Sequence, residues 1–227
     1  MLNRYLRNKE TISATQQEIL AQKSIIIIGC GGLGQYVASE LCRVGIGSIT
    51  LMDDGDFDET NLNRQLYCTT KNMNKPKVGE TAKQLIDINP EIKITPIYDK
   101  LTEENAKEFI KNHDLVIDAL DNIKDRLVLE KACKESNIVL ISAAIGGWYG
   151  QLAVIRPGDD TLSKIYKDIN EMSIDKVLGN PAFTPALLAS MQTCEAVKYL
   201  LGKPTLPSKC VLYIDLLNLE FSRFSVN

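Results

Sequence analysis

The stretch that decides the fold is residues 25–34, IIIIGCGGLG. Four consecutive isoleucines predict a buried strand, and Gly29, Gly31 and Gly34 match the spacing G-x-G-x-x-G directly after it. Glycines at these positions, together with Gly32, allow a tight turn and let backbone N–H groups approach a phosphate at the start of the following helix. The stretch therefore predicts the strand–turn–helix unit of a nucleotide-binding fold.

The segments that follow this turn complete a βαβ unit. Apolar residues recur through 32–44 with the spacing of one helix face, and Gly45 ends that pattern. A second strand is predicted over 48–52, and it is followed directly by Asp53. Asp53 comes about twenty residues after the last glycine of the turn, which is the spacing at which an acid accepts hydrogen bonds from ribose hydroxyls. Parallel strands joined in this way require a right-handed crossover.

Strands and helices continue to alternate through the rest of the chain. This alternation predicts one α/β domain over residues 1–227, Rossmann-like and doubly wound, with a mainly parallel sheet and antiparallel strands at the C-terminal side. Helices are predicted at 15–22, 32–44, 77–88, 102–111 with Thr102 as N-cap, 122–136, 161–169 and 184–201. Further strands are predicted at 93–98, 115–119, 138–142, 149–155, 210–214 and 219–224. Residues 1–22 form an N-terminal arm, and 156–183 form a loop-rich crossover.

The composition argues against several functional classes. The 227 residues are 44% hydrophobic, which suffices for one well-filled domain. The net charge of -3 provides no general attraction to nucleic acid or to an anionic membrane, and no apolar run approaches the roughly 20 residues of a membrane span. The charged segment 1–10 does not resemble a secretory signal, and the six cysteines form no C-x-x-C pair. Isolated cysteines favour a reducing, cytoplasmic location and argue against a zinc knuckle.

Six short motifs occur in an order that is far more specific than the glycine turn alone. They are RYLR at 4–7, GCGGLG at 29–34, NLNRQ at 61–65, KPK at 75–77, DALDN at 118–122 and GQ at 150–151. Together they resemble the ThiF/MoeB/HesA family, which is similar to the adenylation domain of ubiquitin-activating enzymes. The resemblance implies a homodimeric adenylyltransferase that binds ATP and magnesium. Its expected substrate is the C-terminal glycine carboxylate of a small ubiquitin-like sulfur-carrier protein of the ThiS/MoaD type with a Gly-Gly tail, and pyrophosphate is released.

By motif match, the resemblance implies roles for five residues of the ATP site. Arg64 and Gln65 face the phosphates, and Asn61 helps to hold the nucleotide. Lys77 neutralises charge at the α-phosphate, and Asp121 anchors magnesium and orients the reacting groups. A carboxylate that attacks a phosphate brings anions together, so fixed cations and a metal suit this chemistry. The simpler alternatives are a surface salt bridge for Arg64, a solvated helix start for Lys77 and a helix N-cap for Asp121.

The resemblance also implies a role for the N-terminal arm. In the family, the arginine that matches Arg7 reaches the ATP site of the other subunit of a dimer. Arg7 would then supply positive charge in trans only when the homodimer forms. The alternative is that the arm is a disordered basic terminus.

Two features of the family pattern are missing from this chain. Many relatives carry two C-x-x-C pairs that bind structural zinc, whereas no cysteine lies between Cys133 and Cys194, so we expect no zinc. Some relatives carry a cysteine in the crossover loop that forms a covalent intermediate, but 156–183 contains none. We expect Cys194 in the core and Cys30 packed behind the glycine turn. Any sulfur transfer would therefore use a separate sulfur donor.

Other functions remain open on this reading. The same chemistry would also serve a peptide or a tRNA-linked carboxylate, although the net charge disfavours tRNA. An NAD-dependent dehydrogenase would use the glycine turn but would leave Arg64, Lys77 and Asp121 without a role. His113, the only histidine, is predicted on a surface turn, which argues against a hydride-transfer acid. A non-catalytic nucleotide-binding scaffold is a further alternative. Trp148 either lines a channel for a Gly-Gly tail or caps the sheet edge.

Overall fold

A single sheet organises the chain in the computed structural model, which describes residues 3–167 and 178–226. Its strands are β1 (Ser24–Ile28), β2 (Ser48–Met52), β3 (Lys93–Ile97), β4 (Leu115–Asp118), β5 (Leu140–Gly146), β6 (Tyr149–Ile155), β7 (Cys210–Asp215) and β8 (Glu220–Ser225). The described strands lie in the order β3-β2-β1-β4-β5-β6-β7-β8. β1 to β5 are parallel, and the pairs from β5 to β8 are antiparallel. The predicted fold class is confirmed.

Helices on both faces of the sheet connect the strands. They are α1 (Ala14–Leu20), α2 (Gly32–Val44), α3 (Lys77–Ile88), α4 (Ala106–Ile110), α5 (Ile123–Glu135), α6 (Thr161–Ile165) and α7 (Phe183–Leu200), with 3-10 turns at Asn3–Tyr5 and Glu59–Asn61. α2 and α3 have the bounds that the sequence predicts. Among the described helices, none is long and apolar enough to cross a membrane.

Two helices, α4 and α6, are several residues shorter than predicted. The prediction that Thr102 is the N-cap of a helix over 102–111 is wrong, because α4 begins only at Ala106. The Thr102 N–H donates to Asn105 Oδ1 at 2.8 Å, and the Asn105 N–H donates to Thr102 Oγ1 at 3.4 Å. This reciprocal bonding forms a separate turn before the helix. The helix predicted over 161–169 ends at Ile165, and its last two residues lie outside the described part of the chain.

The isoleucines of β1 feed two apolar cores, one on each face of the sheet. Ile25 and Ile27 pack with residues of α2, α3 and α7, whereas Ile26 and Ile28 pack with residues of α4, α5 and α6. Successive side chains of a strand point to opposite faces, so a run of four apolar residues fits a strand that is covered on both sides. These two layers hold the carboxyl end of β1, and with it the glycine turn, in the middle of the sheet.

The strand order creates a crevice beside the glycine turn. β1 pairs with β2 on one side and with β4 on the other. The connections that leave β1 and β4 therefore diverge to opposite faces, and open α/β sheets bind ligands at such a switch point.

The N-terminal arm is attached to the opposite end of the α2–α3 layer. Tyr5 is buried, and its hydroxyl oxygen accepts a hydrogen bond from Asn89 Nδ2 at 2.7 Å. Arg4 donates to Asn89 Oδ1, while Arg7 is exposed. Asn89 also donates to the carbonyl of Cys42 at 3.0 Å and is itself buried. The first part of the RYLR motif therefore lies in a defined place, which leaves Arg7 to project outward.

The expectation that Cys194 is a core residue is wrong. Cys194 is exposed, although its neighbours Gln192, Thr193 and Ala196 on α7 are buried. Two residues along an α-helix turn the side chain by about 200°, so Cys194 lies nearly opposite the buried side chain of Gln192. The apolar residues near Cys194 in sequence occupy more than one side of α7. The sequence pattern therefore did not indicate which side of the helix is exposed.

Candidate active site

A cavity of about 620 Å³ lies at the carboxyl ends of β1, β2, β4 and β5. Its size is typical of a small-molecule site. The predicted site residues that line it are Gly29, Gly31, Gly32, Asp53, Asn61, Arg64, Gln65, Lys77 and Asp121. Gly34 and Arg7, which were also predicted as site residues, do not line this cavity of their own chain. Segments far apart in sequence thus meet around one space.

The glycines of the turn have different physical tasks. Gly29 has φ +96°, and a Cβ there would lie 2.4 Å from the carbonyl oxygen of Ala119. A Cβ at Gly34 would lie 1.9 Å from the carbonyl oxygen of Gly29, so Gly34 serves the packing of α2 against the turn. Gly31 is the N-cap of α2 and provides no side-chain cap. The first N–H groups of α2, at the cavity wall, therefore suit an anion.

Asp53 is oriented by backbone hydrogen bonds from two loops. Its carboxylate accepts from the N–H of Cys30 at 2.7 Å and from the N–H of Gly55 at 2.8 Å. A Cβ at Gly55 would lie 2.9 Å from Asp53 Oδ1 and 3.0 Å from Lys77 Nζ. Gly55 thus leaves room for the ammonium group of Lys77 at the cavity. The half-buried Lys77 begins α3, and its N–H donates to the carbonyl of Gly55 at 3.0 Å.

The NLNRQ motif is held by its own capping turn. Asp58 caps the 3-10 turn that contains Asn61, accepting from Thr60 N at 2.7 Å and from Asn61 Nδ2 at 3.1 Å. The hydrogen bond from the Thr60 side chain lowers the pKa of Asp58. Arg64 donates to the Thr60 carbonyl and to Asn63 Oδ1, both at 2.9 Å. The turn and Asn63 of the motif therefore hold the Arg64 guanidinium group.

Among the described residues, neither predicted phosphate-binding cation pairs with an acid. Across residues 3–167 and 178–226, no carboxylate forms an ion pair with Arg64 or with Lys77. The salt-bridge alternative for Arg64 is therefore wrong within this part of the chain. Two positive charges that face one cavity without a carboxylate partner favour an anionic ligand.

Gln35, which no sequence motif predicted as a site residue, connects the glycine turn to the NLNRQ motif. It is fully buried on α2. Its Nε2 donates to the carbonyl of Cys30 at 2.8 Å and to Gln65 Oε1 at 3.3 Å, and its Oε1 accepts from Tyr67 N at 2.8 Å. The signal in the sequence is a polar residue directly after the last glycine of the turn. Cys30 packs behind the turn as expected, 3.3 Å from Thr81 Oγ1.

Asp121 lies exposed on the loop between β4 and α5, at the cavity wall. The N-cap of α5 is Asn122, which accepts from the Asp125 N–H at 2.8 Å. The alternative that Asp121 is the cap is therefore wrong. Beneath the loop lies a buried ion pair that the sequence analysis did not single out, between Arg126 and Asp118 at 2.8 Å. Burial raises the pKa of Asp118, and Arg126 and Ser142 oppose that rise.

The other end of the cavity is lined by aromatic and amide side chains of β6, β7 and the crossover. Tyr149, Tyr166 and Tyr213 line it, and Gln151 donates to the hydroxyl of Tyr166. Trp148 is not among the lining residues; its ring packs against Phe183 in a tilted arrangement with ring centroids 4.6 Å apart. The channel interpretation of Trp148 is thus not supported within this chain.

Comparisons with known proteins agree with these motifs. Residues 2–227 match the ThiF family. The chain belongs to the ThiF family. This membership confirms the family and the enzyme class, adenylyltransferase, that the motifs predicted.

Relatives of this ThiF-family chain differ in the names they carry. It is 32% identical to the sulfur carrier protein ThiS adenylyltransferase of Escherichia coli, over 86% of this chain and 79% of that protein. It is 37% identical to the tRNA threonylcarbamoyladenosine dehydratase of Bacillus subtilis, over 63% of this chain and 57% of that protein. The structure of Escherichia coli MccB with MccA-N7isoASN has a TM-score of 0.87 at 20% identity, covering 100% of this chain and 73% of that one. This last likeness concerns the fold alone.

The residues around the cavity fit ATP and magnesium. The glycine turn, Arg64 and Lys77 line one wall and would suit phosphates, and Asp53 would suit a ribose. The described residues contain no group of three or more His, Cys, Asp or Glu side chains that would hold a metal ion. Magnesium commonly takes one or two carboxylates plus the phosphates of its substrate, and Asp121 beside this wall provides that arrangement. The expected lack of zinc stays a prediction.

Proposed function

We propose that this chain binds magnesium-ATP and adenylates the C-terminal glycine carboxylate of a small ubiquitin-like sulfur-carrier protein. The observation that carries the proposal is the convergence of the glycine turn, Arg64, Lys77 and Asp121 on one cavity. The named ThiS adenylyltransferase among its relatives supports the choice of carrier.

In the proposed reaction, a carboxylate oxygen of the substrate attacks the α-phosphorus of ATP. A new O–P bond forms, the bond to the β-phosphate oxygen breaks, and pyrophosphate leaves. Arg64 and Lys77 offset the charge of the phosphates, which lets the anionic carboxylate approach. Bound magnesium, held by Asp121 and the phosphates, would supply further neutralisation. Asp53 holds the ribose and so sets the position of the α-phosphate.

An exposed aromatic surface supports a protein substrate. Tyr213 lines the cavity and contacts Phe224 on β8, with ring centroids 6.4 Å apart. Every residue of β8 is exposed, including Phe221 at 52% and Phe224 at 57%. An exposed apolar surface that continues from a cavity is typical of a protein interaction site. The carrier body would rest on β7 and β8 while its Gly-Gly tail enters the cavity alongside the stacked rings of Tyr149 and Tyr213.

A homodimer with Arg7 acting in trans completes the proposal. Arg7 is exposed and lies outside the cavity lining of its own chain, while Arg4 and Tyr5 hold the arm at Asn89. An arginine fixed in this way is available to a partner subunit. Because no cysteine occurs in 156–183, sulfur would reach the adenylate from a separate donor.

The alternative substrate is a tRNA-linked carboxylate. The named tRNA dehydratase among the relatives favours it. The net charge of -3 argues against it, because tRNA binding depends strongly on basic surface.

The test is ATP–pyrophosphate exchange with magnesium, adding candidate carriers one at a time. We expect exchange only with one Gly-Gly-tailed carrier. Asp121→Ala should abolish it, whereas Asp87→Ala, which removes an exposed acid of α3 away from the cavity, should not. If exchange is absent with every carrier but present with a tRNA-linked or peptide carboxylate, the proposed substrate is wrong and that carboxylate takes its place. ATP binding without any exchange would favour the scaffold.

A further inference from the structure

A buried guanidinium group supports the loop that carries Asp121. Arg126 projects from α5 and is 5% exposed. Its Nη1 donates to Asp118 Oδ2 at 2.8 Å and to the carbonyl of Ala143 at 2.7 Å, and it lies 3.5 Å from Ser142 Oγ. Its Nη2 donates to the carbonyl of Leu120. One side chain thereby joins the end of β4 to the middle of β5 at the floor of the cavity, which Arg126 also lines.

These contacts fix the residues that precede Asp121 in sequence. Asp118 Oδ1 accepts from the Leu120 N–H at 3.0 Å, and Asp118 Oδ2 accepts from Ser142 Oγ at 2.5 Å. From the opposite side, the fully buried Gln192 donates to the Asp118 carbonyl at 2.8 Å. Both the backbone and the side chain of Asp118 are therefore held, as is the carbonyl of Leu120, immediately before Asp121.

Stability alone does not explain this arrangement. Replacing a buried ion pair by apolar side chains of similar volume is often neutral or stabilising. The apolar cores on both faces of the sheet would hold β4 beside β5 without a charge. A planar group with several donors in a fixed geometry is, by contrast, well suited to placing a loop relative to a strand.

We propose that Arg126 is a positioning residue that sets the place of the Asp121 carboxylate for magnesium. The proposal rests on the proposed function of the site, because it takes magnesium-ATP as the ligand. Arg126 acts through the loop at Asp118 and Leu120 and need not touch the metal. Residues that orient metal ligands in this way typically contribute about 10- to 100-fold to metal affinity or activity.

The experiment is calorimetric titration of the full chain with ATP, with and without magnesium chloride. In the wild type, magnesium should tighten ATP binding. In Arg126→Gln, the ratio of ATP affinity with magnesium to that without it should be about 10- to 100-fold smaller than in the wild type. The affinity for magnesium-free ATP should stay unchanged. The double variant Asp121→Ala/Arg126→Gln should bind no more weakly than Asp121→Ala, because both changes remove one interaction.

Arg156→Gln is the matched control. Arg156 is likewise held by several hydrogen bonds, to Thr205 Oγ1 at 2.6 Å, the Leu206 carbonyl at 3.2 Å and Ser208 Oγ at 3.3 Å, but it lies outside the cavity lining. This variant should keep the whole magnesium gain. A purely structural role for Arg126 would lower the affinity for magnesium-free ATP as well, which overturns the proposal.

Further outcomes decide against the proposal. They are a full magnesium gain in Arg126→Gln, an additive loss in the double variant, or no magnesium gain in the wild type. If circular dichroism shows that Arg126→Gln is unfolded, Asp118→Asn replaces it, and the same non-additivity with Asp121→Ala is required. These titrations need no carrier, so failure of exchange with every carrier would remove the proposed substrate and leave the result on Arg126 intact.

Discussion

At the scale of single residues, the cavity depends on polar side chains that are buried away from solvent. The side-chain amide of Gln35 forms three hydrogen bonds, to Cys30, Gln65 and Tyr67. Through these bonds the glycine turn and the NLNRQ motif keep a constant spacing. A ligand that spans both segments therefore meets a preformed site, which reduces the ordering cost of binding.

Gln35→Leu should lower the free energy of unfolding by about 1–3 kcal/mol, because the Cys30 carbonyl and the Tyr67 N–H lose their buried partner. Urea unfolding followed by circular dichroism measures the change. The exposed Gln84 on α3 supplies the control, and Gln84→Leu should leave stability nearly unchanged. Equal effects of the two substitutions would contradict this reading of Gln35.

The cysteines should differ sharply in reactivity. Burial raises the pKa of Cys30 to about 12, and its side chain is fully buried. Cys194 is exposed on α7. Because alkylation requires an accessible thiolate, iodoacetamide should label Cys194 in the native protein well before Cys30. Mass spectrometry of digested protein locates the label. Rapid labelling of Cys30 in a Cys194→Ser variant would show that the glycine turn opens.

At the scale of elements, the packing of β2 against the end of α4 involves the only histidine. His113 Nε2 lies 2.9 Å from Thr50 Oγ1, and the ring is half-buried. Burial lowers the pKa of His113 from its ordinary value of 6.5, so the folded protein favours the neutral ring.

The sign of the resulting pH dependence follows from this lowered pKa. Below 6.5 the unfolded chain takes up a proton at His113 that the folded chain resists, so this contribution to stability is full above 6.5 and is lost as the pH falls toward the folded pKa. His113→Gln should therefore make stability less dependent on acid. Urea unfolding of both proteins at pH about 7.5 and about 5.5 measures the difference. The imidazole proton resonances should titrate below 6.5, and a midpoint above it would refute the argument.

Neighbouring elements hold the entry of the crossover by hydrogen bonds. The described residues contain no group of three or more possible metal ligands there. Buried Glu130 of α5 accepts from the N–H groups of Leu162 at 2.7 Å and Ser163 at 2.9 Å, which caps α6. Arg156 binds the 205–208 segment. At the far end, Thr184 Oγ1 donates to the Gly147 carbonyl at 2.6 Å. Hydrogen bonds and charge thus hold the described ends of this crossover.

At the scale of the whole molecule, the proposed dimer makes a prediction that no single chain would satisfy. If Arg7 acts in trans, each site combines Asp121 of one protomer with Arg7 of its partner. Arg7→Ala and Asp121→Ala should each be nearly inactive in exchange. Equal mixtures, after subunits exchange, should recover about a quarter of wild-type activity, because half of the dimers are mixed and each mixed dimer has one intact site.

The control for this mixing is a mixture of Asp121→Ala with Lys77→Ala. Both of these changes affect the same chain's cavity, so each mixed dimer would contain no intact site and no activity should return. Recovery in this control, or its absence in the Arg7 mixture, would refute action in trans. Sedimentation measures the oligomeric state of every sample.

Local signals in the sequence predicted most of the fold. α2 was predicted to the residue because Gly31 and Gly45 stand at its ends, Gly45 with φ +93°. α4 was overestimated because Thr102 and Asn105 bond to each other before the helix starts. Residues close in sequence determine both α2 and the turn at Thr102. At Thr102, however, a separate turn competes with the start of the helix for the same hydrogen-bonding groups.

The cavity residues that belong to short motifs were likewise predictable, since a glycine turn or a basic cluster has its own chemical meaning. The environment of Asp121 was not, because Arg126 meets Ser142 and Ala143, and Gln192 meets the Asp118 carbonyl, only when β4, β5 and α7 pack together. The outward position of Cys194 depends in the same way on which face of α7 the sheet covers. The order of residues along the chain determines where helices, strands and turns form. Contacts between residues distant in sequence are determined only by how the sheet and the helix layers pack together.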